Sequence, residues 1–91
     1  MGRREQRIFR LNDEIERLRA ELHQARAELD VHRHLSDDAQ RDAAVSESPI
    51  DREAARETTA DVARFERLVG VLETGIAKVS TKRDRLLEEL N

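Results

Sequence analysis

A heptad repeat near the start of the chain constrains the fold more than any other feature. Apolar residues recur at alternating intervals of three and four, at Ile8, Leu11, Ile15, Leu18, Leu22, Ala25 and Leu29. This spacing puts all seven at heptad positions a and d, on one narrow stripe of an α-helix. The frame continues with less apolar content through His32, Ser36, Ala39 and Ala43. Such a helix packs its stripe against a second helix.

The composition favours long packed helices over a wide globular core. Charged residues make up 41% of the 91 residues and aromatic residues 2%, and the chain has no cysteine. Without cysteine there is no disulfide, no thiolate nucleophile and no cysteine-based zinc site. No apolar run approaches the roughly 20 residues that a membrane span needs, so we expect a cytoplasmic protein. The net charge of −3 argues against general binding to nucleic acid.

A helix boundary is indicated at residues 46–49, Ser-Glu-Ser-Pro. Proline disfavours helical backbone at the residue before it and suits the first turn of a new helix. Ser48 as N-cap, Pro49 at the first helical position and Asp51 two residues later form a start that resembles a capping box. This boundary is the strongest local signal in the sequence.

A second heptad frame follows the boundary, at Ala55, Thr58, Val62, Phe65, Val69, Leu72, Ile76, Val79, Arg83, Leu86 and Leu90. We predict one all-α domain over residues 1–91, a two-helix antiparallel coiled-coil hairpin that could dimerise into a four-helix bundle. Helix 1 covers about residues 3–45, the turn 46–49 and helix 2 about 49–90. A break near Ser36, with Asp37 as N-cap, is the alternative to a continuous first helix.

The charges beside the two seams favour one register. A turn centred on Glu47 makes the sequence numbers of facing residues sum to 94, which places Leu11 opposite Arg83 and His32 opposite Val62. The flanking positions then pair opposite charges, at Arg7–Glu89, Glu14–Lys82, Arg19–Glu73 and Arg26–Glu66. A parallel homodimer of the first helix also pairs its charges well, but the second helix would then place like charges together. We therefore favour the hairpin.

Four apolar residues lie off the seams and on one side in this register: Val31 and Leu35 on the first helix, Leu68 and Val71 on the second. Apolar side chains that converge from two helices at the surface indicate a protein interface. A two-helix hairpin also buries little apolar area relative to the chain that it orders. We therefore expect these residues to bind a partner protein or a second copy, with a homodimer as the expected form.

Polar residues with possible chemistry follow the first seam. His32, His34, Asp37 and Asp38 are candidates for a polar functional tip. Asp30, His34 and Asp38 are spaced by four, which places three possible metal ligands on one helix face. We interpret this face as solvated and predict neither a metal nor a cofactor. A rod of two helices has no pocket to orient a nucleophile, so we predict no catalytic residues and no enzymatic activity.

Two stretches resemble known helical-hairpin families. LSDDAQ, residues 35–40, looks like the acidic hairpin tip of bacterial transcript-cleavage factors, although the turn predicted here comes some ten residues later. VARFERLV, residues 62–69, is similar to part of the ligand-bearing helix of actinobacterial anti-sigma hairpins that respond to cyclic di-GMP. LDVHRHL, residues 29–35, resembles the other helix of that family. The resemblance implies an all-α hairpin that regulates transcription.

The ligand motif of the anti-sigma family is not retained. That motif has Glu, Ser, Arg, Gln and Asp at set spacing, and Glu66 and Arg33 match it in this chain. The other positions carry Gly70, Glu73, Ala77 and Thr81. Binding of the nucleotide is therefore not inferred from the resemblance.

Three functional hypotheses follow. The first is a non-enzymatic coiled-coil interaction module, an adaptor or a scaffold. The alternative is a transcription regulator of the anti-sigma or RNA-polymerase-binding hairpin type. DNA binding through the basic N-terminus ranks third, because the stretch with Arg3, Arg4, Arg7 and Arg10 is short and has no Asn before the seam to read bases.

Overall fold

Two helices account for nearly the whole of the described chain. The computed structural model describes residues 2–90, in which α1 covers Arg3–Ser46 and α2 covers Pro49–Leu90, with no strand. The helices pack as an antiparallel hairpin, which confirms the predicted fold class. α1 runs past Ser36 without a break and ends one residue beyond the predicted bound. α2 begins at Pro49, where the sequence placed it.

The turn is built from local hydrogen bonds around Ser48. The hydroxyl of Ser48 accepts the N–H of Ile50 at 3.2 Å, as expected of an N-cap. The carboxylate of Asp51 does not reach back to the backbone of Ser48. Instead, the hydroxyl of Ser46 donates to Asp51 and accepts the N–H of Ser48 at 3.3 Å. Ser46 thus bridges Ser48 and Asp51, the two residues of the predicted capping box.

Glu47 reverses the chain between the helices with a left-handed backbone, at a φ of 55°. Its N–H still donates to the carbonyl of Ala43 at 3.1 Å, the single bond of an αL helix ending. A residue with a Cβ is strained in this conformation, and glycine is the usual occupant.

The hairpin divides into two compact units. Unit 1 consists of Met1–His23 and Gly70–Asn91, and unit 2 consists of Gln24–Val69. The seam of unit 1 is filled by large aliphatic side chains. Its buried members are Ile8, Ile15, Leu22, Leu72 and Val79, of which Ile15 is only 2% exposed.

Contacts within unit 1 agree with the predicted register. The guanidinium of Arg83 donates to the amide oxygen of Asn12 at 3.2 Å, next to the predicted layer of Leu11 and Arg83. This bond keeps the charge of Arg83 at the edge of the seam while its stem lies inside. The four predicted ion pairs are not formed among the described residues: no ion pair is made there by Arg7, Glu14, Lys82, Arg19 or Glu66, and the carboxylate of Glu89 lies 3.5 Å from Arg4 instead.

Unit 2 has a smaller and more polar seam. Ala25 and Leu29 are buried, and so is Ser36, which accepts a hydrogen bond from Gln40 at 3.0 Å. The same amide of Gln40 donates across the seam to Thr59 at 3.3 Å. The remaining seam positions are only partly buried: His32, Ala39, Ala43, Ala55, Thr58, Val62, Phe65 and Val69.

Candidate interaction surface

The seam separates two sides in each unit, which we name by their heptad positions. The b/e side of unit 2 is identified by the bond between Gln40 and Thr59, which both occupy position e. The c/g side lies opposite, where Asp61, at position g, approaches His32. The same heptad frames define a c/g side and a b/e side for unit 1.

The c/g side of unit 2 carries exposed apolar side chains. Val31, Leu35 and Leu68, three of the four predicted interface residues, are each about half-exposed there. The fourth, Val71, belongs to unit 1 and is 67% exposed on the c/g side of that unit. The b/e side of unit 2 exposes no large apolar side chain within the described residues.

Two further apolar residues on this side were not predicted. Val45 is 86% exposed and Ile50 is 80% exposed, on either side of the turn. Both occupy heptad position c, as Val31 does. Extending the heptad frame into the turn would have identified them from the sequence. With Val31, Leu35 and Leu68 they make the c/g side of unit 2 the apolar side of that unit, and we call these five residues the apolar patch.

The same side is strongly acidic. It carries five carboxylates, Glu28, Asp38, Asp42, Glu57 and Asp61, against the single cation Arg64, a net charge of −4. Arg64 pairs with Asp61 at 2.9 Å, and Asp38 pairs with Arg41 on the solvent face of α1. The b/e side of unit 2 has four arginines against three carboxylates, a net charge of +1: Arg26, Arg33, Arg52 and Arg56 against Asp30, Asp37 and Glu66.

The c/g side of unit 1 has the opposite charge. Seven cations face three carboxylates there, a net charge of +4: Arg3, Arg7, Arg10, Arg17, Lys78, Lys82 and Arg85 against Glu14, Glu21 and Glu89. The b/e side of unit 1 has one arginine against four carboxylates, a net charge of −3: Arg19 against Glu5, Glu16, Glu73 and Asp84.

Each unit also has a shallow groove, and charged residues of the c/g side line part of it. The groove of unit 1, of about 470 Å³, is lined by Lys78, Lys82 and Arg85 with small residues between them. The groove of unit 2, of about 390 Å³, lies beside the turn and is lined by Pro49, Ile50, Glu53, Ala54 and Glu57. The first groove is basic and the second is acidic and apolar.

His32 occupies the seam of unit 2 and does not face a pocket. Its ring stacks on Phe65 with centroids 4.7 Å apart and an interplanar angle of 17°. Its Nδ1 is buried without a hydrogen-bond partner among the described residues, since the nearest oxygen of Asp61 lies 4.0 Å away. The guanidinium of Arg64 covers the same phenyl ring at 5.6 Å. This is the packing of a polar seam residue.

The other predicted tip residues lie in the body of α1. His34 is exposed and its Nδ1 lies 2.8 Å from the carbonyl oxygen of Asp30, one turn earlier. Asp37 and Asp38 are exposed, and α1 continues for eight residues beyond Asp38 to its end at Ser46. These residues therefore belong to the helix surface and not to the turn.

Two other kinds of site are not seen within residues 2–90. No group of three or more His, Cys, Asp or Glu side chains is arranged to hold a metal ion in that range. Neither helix, as described, combines the length and the apolar content that crossing a membrane requires.

A search of family models, of curated proteins and of solved structures finds no match for this chain. Function therefore has to be inferred from the side chains themselves.

Proposed function

We propose that the chain is a non-enzymatic protein-interaction module that binds through the c/g side of unit 2. The observation that carries the proposal is that the large exposed apolar residues of unit 2 lie on one side of it. Val31, Leu35, Val45, Ile50 and Leu68 all lie on that side. Apolar side chains that gather on one face within a polar rim are characteristic of protein interfaces.

The shape of the described surface supports binding rather than catalysis. Both grooves are shallow and open to solvent, and neither gathers a nucleophile, a base and an oxyanion-binding group. The partly buried His32 is stacked on Phe65 within the seam, and its Nδ1 is buried. Exposed apolar residues along one side of two helices suit a helix or another extended protein surface as the partner.

The test is a double substitution on the patch, Val31→Asp with Leu35→Asp. Two carboxylates within an apolar contact should abolish binding, because each would be desolvated without a partner. Retention of protein on the immobilised chain and the mass of the chain in solution measure the loss. Circular dichroism should show the helices retained, because both positions are solvent-exposed before binding.

Ala27→Asp is the matched control. Ala27 is exposed on the solvent face of α1 within the same unit, so the change adds a carboxylate at a similar cost in helix propensity. The control should keep all binding. If the double variant and the control both bind as the unaltered chain does, with unchanged mass, the proposed surface is wrong.

A further inference from the structure

The two c/g sides are matched in charge. That of unit 1 has a net charge of +4, and that of unit 2 has a net charge of −4. The b/e side has a net charge of −3 in unit 1 and +1 in unit 2, so these two sides are not equal and opposite in charge. Placing the c/g side of unit 2 on its own copy would bring two acidic surfaces together. Placing it on the c/g side of unit 1 from another copy brings opposite charges together.

Several of these charges have no partner within residues 2–90. Asp42 and Glu57 in unit 2, and Lys78 and Arg85 in unit 1, make no ion pair or side-chain hydrogen bond among the described residues. All four are exposed. They are free to pair with another chain without first breaking a contact in their own.

The apolar contributions are matched as well. Unit 2 offers its apolar patch, and unit 1 offers Val71 together with the aliphatic stems of Lys78 and Arg85. Lysine and arginine stems cover apolar surface while their charged ends reach carboxylates. A contact between the two c/g sides would therefore bury apolar surface in its centre and pair charges around it.

We propose that the partner is a second copy of this chain, with the c/g side of unit 2 of one copy docked on the c/g side of unit 1 of the other. This inference rests on the proposed function, because it names the partner of the same surface. Each copy supplies both halves of the contact, so the smallest assembly is a dimer.

A charge exchange between the two units tests the inference. The unit 2 variant carries Asp42→Lys and Glu57→Lys, and the unit 1 variant carries Lys78→Glu and Arg85→Glu. Each variant alone brings one half of the contact to a net charge of 0 and places its two new charges against a half of the same sign, so its dimer should be weaker by about tenfold or more. An equimolar mixture restores opposite charges between the two variants and should dimerise again. Sedimentation equilibrium of the full chain measures each mass.

The control reverses charges on the other side of unit 2. Arg52→Glu with Arg56→Glu changes the same number of charges on the b/e side and should leave the dimer intact. Dimerisation of the unaltered chain should also weaken as salt is raised, because salt screens exposed charges. Circular dichroism of every variant identifies any loss of mass that comes from unfolding.

Each result decides for or against the second copy. An unaltered chain that stays monomeric, or a mixture that does not dimerise, overturns the inference. If that chain nevertheless retains a different protein, and Val31→Asp with Leu35→Asp abolishes the retention, the proposed function stands and only the partner is wrong. If the patch variant changes nothing, the proposed function fails as well.

Discussion

The two units share one heptad frame and use it differently. In unit 1, large aliphatic residues fill the seam, and Ile8, Ile15, Leu22, Leu72 and Val79 are buried. In unit 2, the seam contains His32, Ser36 and Thr58, while its larger aliphatic residues outside the seam are exposed. Burial of apolar area is the main stabilising contribution in such hairpins. Unit 1 therefore supplies more of the stability, and in unit 2 the exposed apolar residues lie on the c/g side.

The comparison also explains the turn. A unit with a weak seam depends more on local hydrogen bonds to hold its helices together. Unit 2 has such bonds at Ser46, Ser48 and Asp51, and one between Gln40 and Thr59 across the seam. The difference between the units can be tested by substitutions at matched positions.

The largest effect is expected in the seam of unit 1. Ile15→Ala should lower the free energy of unfolding by about 2–5 kcal/mol, because it leaves a cavity at a fully buried position. The matched change in unit 2, Val62→Ala, removes a partly buried side chain and should cost about 1 kcal/mol. Urea unfolding followed by circular dichroism measures both. Equal losses would mean that the two seams contribute alike.

The N-cap of α2 comes next. Ser48→Ala removes the acceptor for the N–H of Ile50 and should lower the free energy of unfolding by about 1 kcal/mol. Ser80→Ala, in the interior of α2 in unit 1, should instead raise it by about 0.5 kcal/mol through helix propensity. Changes of opposite sign in the free energy of unfolding would show that the stability of unit 2 depends on the capping bond at its turn. A negligible effect of Ser48→Ala in the same urea titration would contradict this dependence.

His32 tests the polar seam. His32→Leu should raise the free energy of unfolding by about 1 kcal/mol, because losing an unpartnered buried nitrogen outweighs the lost ring stacking on Phe65. His23→Leu, at an exposed position of unit 1, is the control and should stay within about 0.5 kcal/mol of the unaltered chain. Thermal unfolding gives both values. A less stable His32→Leu chain would show that the stacked ring stabilises unit 2 as it stands.

The smallest effect is expected at the reversal of the chain. Glu47→Gly should raise the free energy of unfolding by about 0.5 kcal/mol, because glycine adopts the left-handed backbone without strain and loses part of that gain in chain entropy. Glu57→Gly, inside α2, should lower it by about 1 kcal/mol. A destabilised Glu47→Gly chain, measured in urea, would show that the side chain of Glu47 contributes more than its backbone strain costs.

The sequence predicted the architecture well because its signals are periodic or local. The heptad frames identified the seam residues, and all of those before Leu90 are at least partly buried. Ser48 and Pro49 identified the start of α2, since capping depends on residues within one turn. The apolar interface candidates Val31, Leu35, Leu68 and Val71 are exposed as expected, while their role in binding stays a prediction.

The details that the sequence missed depend on which side chain reaches a group first. Asp51 was expected to cap the backbone of Ser48, but Ser46 lies between them and bonds to both. Glu89 was expected to pair with Arg7, but Arg4 is one turn away and equally able to reach it. Long exposed side chains can reach several partners, and the resulting ion pairs differ little in free energy. Heptad position alone therefore does not predict which pair forms.

The sequence by itself thus determined the helices, their seams, the turn and the sign of the charge on each side, because α-helical periodicity maps residue number directly onto direction. Only the tertiary structure decided how much of each side chain is covered. It decided that Val45 and Ile50 stand exposed beside the turn, that His32 stacks on Phe65, and that Asp42 and Lys78 have no partner within the described chain. Burial and pairing depend on the neighbours that packing brings together, and those neighbours are distant in the sequence.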